Sequence, residues 1–326
     1  MSRVSWFLCS AALATMVACG GGEGEAAPEE ESWEGDIEAV TRTLRPQDGT
    51  DRDWEVFRAS VSRAWEAGLD TLPMGEAVVR IGQSFVGWPY GPGTLEVAGE
   101  EGVVVNFEEF DCVTLVENAL ALARFIKTQE PTVLTSELRA REAYKGAIRE
   151  IRYRRGRVDG YPSRLHYFSD WILDNEGKGL VKEMTREFGG EEDSEAIDFM
   201  SAHPEAYRQL ANPANYSAIM DTESRLSGMT RFKIPEAEIP LWVAEIQNGD
   251  IIAATSTVEG LDVAHTGLAY WQGLDLHLLH APLVGESVEV SRLHLAERIL
   301  RLSGQDGIRV VRPLEVVPSA GGSPKP

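Results

Sequence analysis

Three cysteines occur in the 326 residues, and two of them, Cys9 and Cys19, fall in the first nineteen, so Cys112 is the single thiol of everything that follows. A thiol becomes a nucleophile only as thiolate, and the amino end of a helix favours that form through about half a positive charge and converging N–H groups. The segment around Cys112 supplies such an end. In EGVVVNFEEFDCVTLVENALALARFIK, the residues Leu115, Val116, Ala119, Leu120, Ala123 and Ile126 recur at helical spacing. Asp111 stands where an N-cap residue belongs. The same N–H groups could hold an oxyanion. The competing reading of Cys112 is a small buried hydrophobe.

A thiol nucleophile also needs a base, and six histidines are present: His166, His203, His265, His277, His280 and His294. Strand parity sorts three of them. With Gln272-Gly273 as a two-residue hairpin turn, Trp271 pairs with Leu274, and counting outward sets His265 directly across from His280, roughly 5 Å apart at the backbone. His277 then points to the other face, opposite Leu268. His265 would take the thiol proton and His280 would hold its imidazole in the useful tautomer. Two facing histidines could also be half of a metal site, but no third ligand with matching spacing is visible, so neither metal nor cofactor is expected. His203, His277 and His294 receive no role.

The elements that must position these groups span residues 41–318, with no internal repeat and no second low-complexity linker, and read as one catalytic unit. Trp54, Phe57, Val61 and Trp65 mark an amphipathic helix over 51–69, and 74–85 reads as another, so 41–85 is a helical N-terminal elaboration. VGWPYGPGTLE is a Gly/Pro loop. Val103 to Val105 suits a short strand. Residues 136–157 read helical and end in Arg149, Arg152, Arg154, Arg155 and Arg157, a solvated helix face. The stretch 191–230 is mixed and loop-rich. Beta structure then returns in GDIIAATS, DVAHTGLAYW, LDLHLLHAP, ESVEV and GIRVVRP. Helices first and an antiparallel sheet after them give an α+β fold.

The two ends read differently. MSRVSWFLCSAALATMVAC has one early positive charge, an apolar run and a small residue before Cys19, the pattern of a secretion signal over 1–19. Met16-Val17-Ala18-Cys19 resembles a bacterial lipobox, which implies acylation of Cys19 and a membrane held through its acyl chains. Residues 20–40 are an acidic Gly/Glu-rich tether and 319–326 a disordered tail. An exported, lipid-anchored, periplasm-facing protein is expected, on the outer rather than the inner membrane. The formal charge of −21 repels polyanions, so no nucleic-acid partner is expected.

FDCVTLVENALALAR, DVAHTGLAYW and LHLLHAP, in this order, resemble the cysteine and two-histidine motifs of the NlpC-type papain-like cell-wall hydrolases. GWPYGPGTLE before them and RLHYFSDWI after the Cys block resemble the N-acetylmuramoyl-L-alanine amidase branch. The resemblance covers roughly residues 74 to 318. It implies a papain-like core, with the nucleophile helix packed on an antiparallel sheet, and additional N-terminal helices and loop insertions. It further implies cleavage of the amide between N-acetylmuramic acid and L-alanine in peptidoglycan fragments (muropeptides), through an acyl-enzyme on Cys112. His265 would serve as base and then acid, and His280 as its orienter. Tyr90 matches the family's Pro-Tyr loop tyrosine. Arg164, His166, Tyr167, Asp170 and Trp171 would form a substrate wall, because carboxylates pair with Arg and sugars stack on aromatic rings. The bland alternatives are a loop tyrosine packed on Trp88 and a packed structural segment. Asp111 is read as helix cap rather than acid. The competing functions are a γ-D-glutamyl-diamino acid endopeptidase with the same three residues, an acyltransferase on the same scaffold, and a lipoprotein that binds cell-wall fragments without cutting them.

Overall fold

The computed structural model describes residues 46–97, 99–283 and 286–317. The signal, Cys19, the tether and the tail lie outside the described residues. The first helix, α1 (Asp51–Glu66), opens with a reciprocal cap in which Thr50 and Asp53 satisfy one another's backbone N–H groups. Asp53 also accepts the Phe107 N–H at 2.6 Å, which ties this helix to the strand-like approach to Cys112. Next come α2 (Met74–Gln83), α3 (Cys112–Thr128), α4 (Glu137–Arg152) and α5 (Phe168–Gly177). α3 is buried on nearly every side, being packed by α1, α2, α4 and the strand Val263–Gln272 of the sheet. That encirclement explains why its sequence is apolar beyond one stripe.

Beneath α3 lies a buried polar knot. Glu117 and Arg152 are paired at 2.6 Å, Trp171 donates its indole N–H to Glu117 at 3.2 Å, and Arg152 also reaches the Val104 carbonyl at 2.8 Å. The Val104 carbonyl and the Val105 N–H, the latter bound to Gln47, are thus satisfied outside any ladder. For that reason Val103–Val105 is extended chain and not the short strand its β-branched run predicts.

Among the described residues the strands form one eight-stranded antiparallel sheet. Its members are β1 (Val181–Glu183), β2 (Glu191–Asp193), β3 (Arg231–Pro235), β4 (Ile251–Ser256), β5 (Val263–Gln272), β6 (Asp275–His280), β7 (Glu289–Val290) and β8 (Gln305–Pro313). The spatial order is β2-β3-β8-β4-β5-β6-β7, with β1 also on β8. Ile251, Ala253, Leu268 and Leu279 pack with the α1–α5 layer. The alternate residues Ile252, Ala254, Ala269 and Leu278 pack with the short helices α8 (Ile239–Trp242) and α9 (Leu295–Arg301). That alternation is the period of two showing on both faces of a sheet buried on both. A third cluster joins Tyr161 and Tyr167 to Ile197, α6 (Phe199–Ala202) and α7 (Pro213–Ser227). An α+β architecture is therefore what the chain adopts, and no described helix is long and apolar enough to cross a membrane.

Candidate active site

Cys112 is the first residue of α3 and is 1% exposed. Its neighbour Asp111 adopts extended backbone and caps the helix: the carboxylate accepts the Thr114 N–H at 2.7 Å and the Thr114 hydroxyl at 2.8 Å, while that hydroxyl accepts the Asp111 N–H at 2.9 Å. Burial, and next the negative charge of the adjacent Cys112, push the Asp111 carboxyl up to about 7.

α3 lies against β5, the strand that carries His265. The hairpin that joins β5 to β6 differs from the expected one. Gln272 pairs with Asp275, so the turn is Gly273-Leu274, with Gly273 at φ +65 where a Cβ would be strained. The register moves by two residues: Leu268 faces Leu279, and one step further sets Gly267, not His265, opposite His280. His277 correspondingly faces Tyr270 and not Leu268. A shift of two preserves parity, so His265 and His280 remain on one face as diagonal neighbours, within reach of side chains of this length. His265 Nε2 lies 2.9 Å from His280 Nδ1, both residues are buried, and the rings meet edge to face at 5.0 Å. An irregularity at Ala254/Thr255 skips Ala264, a one-residue bulge in β5 immediately before His265. Burial, followed by the charges of His265 and Arg298, holds His280 well below the ordinary histidine range, so it is neutral at pH 7.

Tyr90 sits in the Gly/Pro loop, half-buried against the main core. The loop is held by main-chain bonds on two sides. Phe110 donates to Pro89 at 3.1 Å and accepts from Gly91 at 3.0 Å, while Gly87 and Tyr90 donate to Val288 and Glu286 at 2.8 and 2.9 Å. Tyr90 is thereby bridged to Phe110, two residues ahead of Cys112, and to the segment that follows His280.

The RLHYFSDWI side chains are engaged by the protein itself. Arg164 is buried with Glu96, the Leu95 carbonyl at 2.9 Å and the ring of Tyr161 at 5.0 Å. Tyr167 is 2% exposed and donates to Glu223 at 2.6 Å. Asp170 binds Arg154 at 2.8 Å and Arg225 at 2.6 Å. Trp171 is fully buried, stacked on Phe168 at 4.9 Å, and offers no open face to a sugar ring. His166 alone of the five keeps partial exposure, with Nε2 donating to the Tyr161 carbonyl at 2.9 Å. Burial, and then the Arg164 charge, hold it well below the usual histidine range. Sequence reasoning passed over Glu289, the β7 partner of His280, with Oε1 3.7 Å from His280 Nε2. Counting from His280 into ESVEV could have found it only with the length of the intervening loop known.

Among solved structures, an N-acetylmuramoyl-L-alanine amidase of Bacteroides uniformis is 36% identical, with a TM-score of 0.68 over 74% of this chain and 99% of that one. A Bacteroides fragilis protein, named provisionally as a xylanase, is 38% identical, with a TM-score of 0.64 over 71% of this chain and 98% of that one. A Legionella pneumophila protein, 18% identical with a TM-score of 0.55 over 80% of this chain and 95% of its own, shares the fold alone. No protein of curated function matches. The family pattern described as N-acetylmuramoyl-L-alanine amidase-like (AmiA-like) matches residues 80–304, a span that contains the helix tip, the Pro-Tyr loop and both strands of the histidine pair. The chain belongs to the N-acetylmuramoyl-L-alanine amidase-like family.

Proposed function

We propose that this hydrolase of a peptidoglycan-type substrate is a cysteine amidase that cuts the bond between the lactyl group of N-acetylmuramic acid and L-alanine. Cys112 would be its nucleophile, His265 its base and His280 the orienter, on an NlpC-type papain-like core. The single observation that carries this reading is the buried His265–His280 hydrogen bond on the hairpin against which the Cys112 helix is packed. The thiolate attacks the lactyl carbonyl carbon, and the oxygen takes up negative charge at the amino end of α3. As the C–N bond breaks, His265 returns the thiol proton to the departing alanine nitrogen, leaving a thioester on Cys112. A water then gives its proton to His265, attacks the thioester and releases the muramic acid carboxylate with Cys112 restored. Tyr90, held beside the helix tip, and the partly exposed His166 contact the substrate in this reading. Glycoside cleavage would instead require two carboxylates flanking the scissile bond, whereas the groups supporting the present reading are a thiol and two imidazoles. Cys19 lipidation, export and a periplasm-facing position belong to the same proposal and rest on the signal and lipobox pattern.

Mass spectrometry of a muropeptide digest tests the reaction. Intact stem peptide and free glycan are expected, with activity gone in Cys112→Ala. Release of a peptide that begins at the diamino acid, with L-alanyl-D-glutamate left on the muramic acid, would mark an endopeptidase, transfer to an added amine an acyltransferase, and binding without turnover a cell-wall-binding protein; each outcome displaces the amidase.

A further inference from the structure

His280 has two ring nitrogens, and only one is accounted for by the histidine pair. Nδ1 lies 2.9 Å from His265, while Nε2 is buried and makes no hydrogen bond within the described residues. The nearest charged atom to that nitrogen in an ion-pair geometry is Glu289 Oε1 at 3.7 Å. Glu289 is not there by chance of a long side chain. It is the direct cross-strand partner of His280, on the short strand β7. Its side chain is 41% exposed, whereas the His280 side chain is 2% exposed, so the carboxylate stays hydrated while the ring does not.

We propose that Glu289 is a positioning residue that fixes the tautomer of His280 and, through it, that of His265. Glu289 acts through the chain of ring nitrogens, a role that rests on the cysteine-amidase reading and deepens it. If His265 is to take a proton from the thiol, its free lone pair must be on Nδ1, because Nε2 is the atom turned to His280. A neutral His265 with a lone pair on Nδ1 carries its hydrogen on Nε2 and donates it to His280. His280 must then accept at Nδ1, and since a neutral imidazole has one hydrogen, that hydrogen is on Nε2. An N–H turned toward a carboxylate at 3.7 Å is favoured and a lone pair turned toward it is repelled, so Glu289 selects this arrangement from the two that the histidine pair allows. With the opposite arrangement, Nδ1 of His265 would already be protonated and the base disabled. Such bonds are often long in unliganded sites and shorten when substrate is bound. The other charged groups acting on His280 are His265 from β5 and Arg298 from α9.

The test uses the full chain with 15N-labelled histidine and a muramoyl dipeptide as substrate. Two-bond proton–nitrogen correlation is expected to show His280 in the Nε2–H form, its signals assigned by their loss in His280→Asn. Glu289→Ala should lower kcat about 10- to 100-fold with KM little moved, the range typical of outer partners that orient a functional imidazole, and should shift the His280 signals toward the Nδ1–H form. Glu289→Gln retains an acceptor oxygen and should recover most of that loss, whereas Glu289→Lys, which can only donate, should fall at least as far as Ala. An Nδ1–H His280 in the unaltered protein, an unchanged kcat in Glu289→Ala, or a Gln variant as impaired as Ala overturns the proposal. The first of these needs no variant to fold. Retained hydrolysis in Cys112→Ala would instead overturn the cysteine reading, and the tautomer measurement separates the two failures.

Discussion

Asp111 carries two loads that pull against each other at the residue scale. As cap it satisfies the first turn of α3, and as a carboxyl beside Cys112 it disfavours the thiolate. Asp111→Asn keeps the capping oxygen and removes the charge that the carboxyl carries above about pH 7, so iodoacetamide should label Cys112 faster in the variant at pH 8, with the difference fading toward pH 6. The stability effect has a definite sign. A carboxyl whose folded value is raised to about 7 favours folding at low pH, and that advantage is lost as pH climbs toward and through 7. The Tm of Asp111→Asn relative to the unaltered protein should therefore improve between about pH 4 and 7 and level off above. His280 works in the other direction. Its depressed folded value means that the unfolded chain binds the proton first, so stability drops as pH falls below about 6.5. His280→Asn should flatten that acid-side slope in a Tm series. His265→Ala is expected to lower kcat about 10²- to 10⁴-fold, the usual contribution of a positioned proton carrier.

α3 and the β5–β6 hairpin are the elements that place these residues, and one glycine lets α2 close on the hairpin. A Cβ on Gly82 would stand 2.8 Å from Leu268 Cδ1 and 2.9 Å from Leu279 Cδ2, between α2 and the sheet. Gly82→Val should cost about 1–3 kcal/mol by overpacking, read from urea midpoints. The buried Glu117–Arg152 pair is a second determinant: Glu117→Ala strands a buried guanidinium and should cost about 3–5 kcal/mol. Much of this level was legible in the sequence. The helices α1, α2, α3 and α4 and the strands from β4 to β8 are where periodicity places them, because each buries an apolar stripe or face of regular period. The His265–His280 face was legible too, since a register error of two leaves parity intact. What escaped is what periodicity does not encode. β1, β2 and β3 are at most five residues long and owe their existence to partners far along the chain. RLHYFSDWI is read as a sugar-binding wall through the family resemblance, yet its Arg, Tyr, Asp and Trp are consumed by Glu96, Glu223, Arg154 and a Phe168 stack that no local pattern announces.

On the scale of the whole molecule, the cluster built on residues 197–229 is joined to the rest by packing on Tyr161 and Tyr167 and by polar ties. Tyr167 bridges Glu223 and the Met200 N–H, at 2.6 and 2.8 Å, and Asp170 holds Arg225. Tyr167→Phe removes the donor to a buried carboxylate and should cost about 1–3 kcal/mol, seen first as faster proteolytic nicking within 197–229 while the main core stays intact. The main-chain stitching of the Pro-Tyr loop acts across the molecule in another way. Phe110 on one side and residues 286–288 on the other are more than 170 positions apart in the chain, yet both are spaced against the same few peptide groups of residues 87–91. Backbone bonds are indifferent to side-chain identity, so this segment works as a caliper whose jaws keep their gap whatever residues it carries. Substrate preference can thus drift at its outward-facing positions over evolutionary time without the jaws losing their setting.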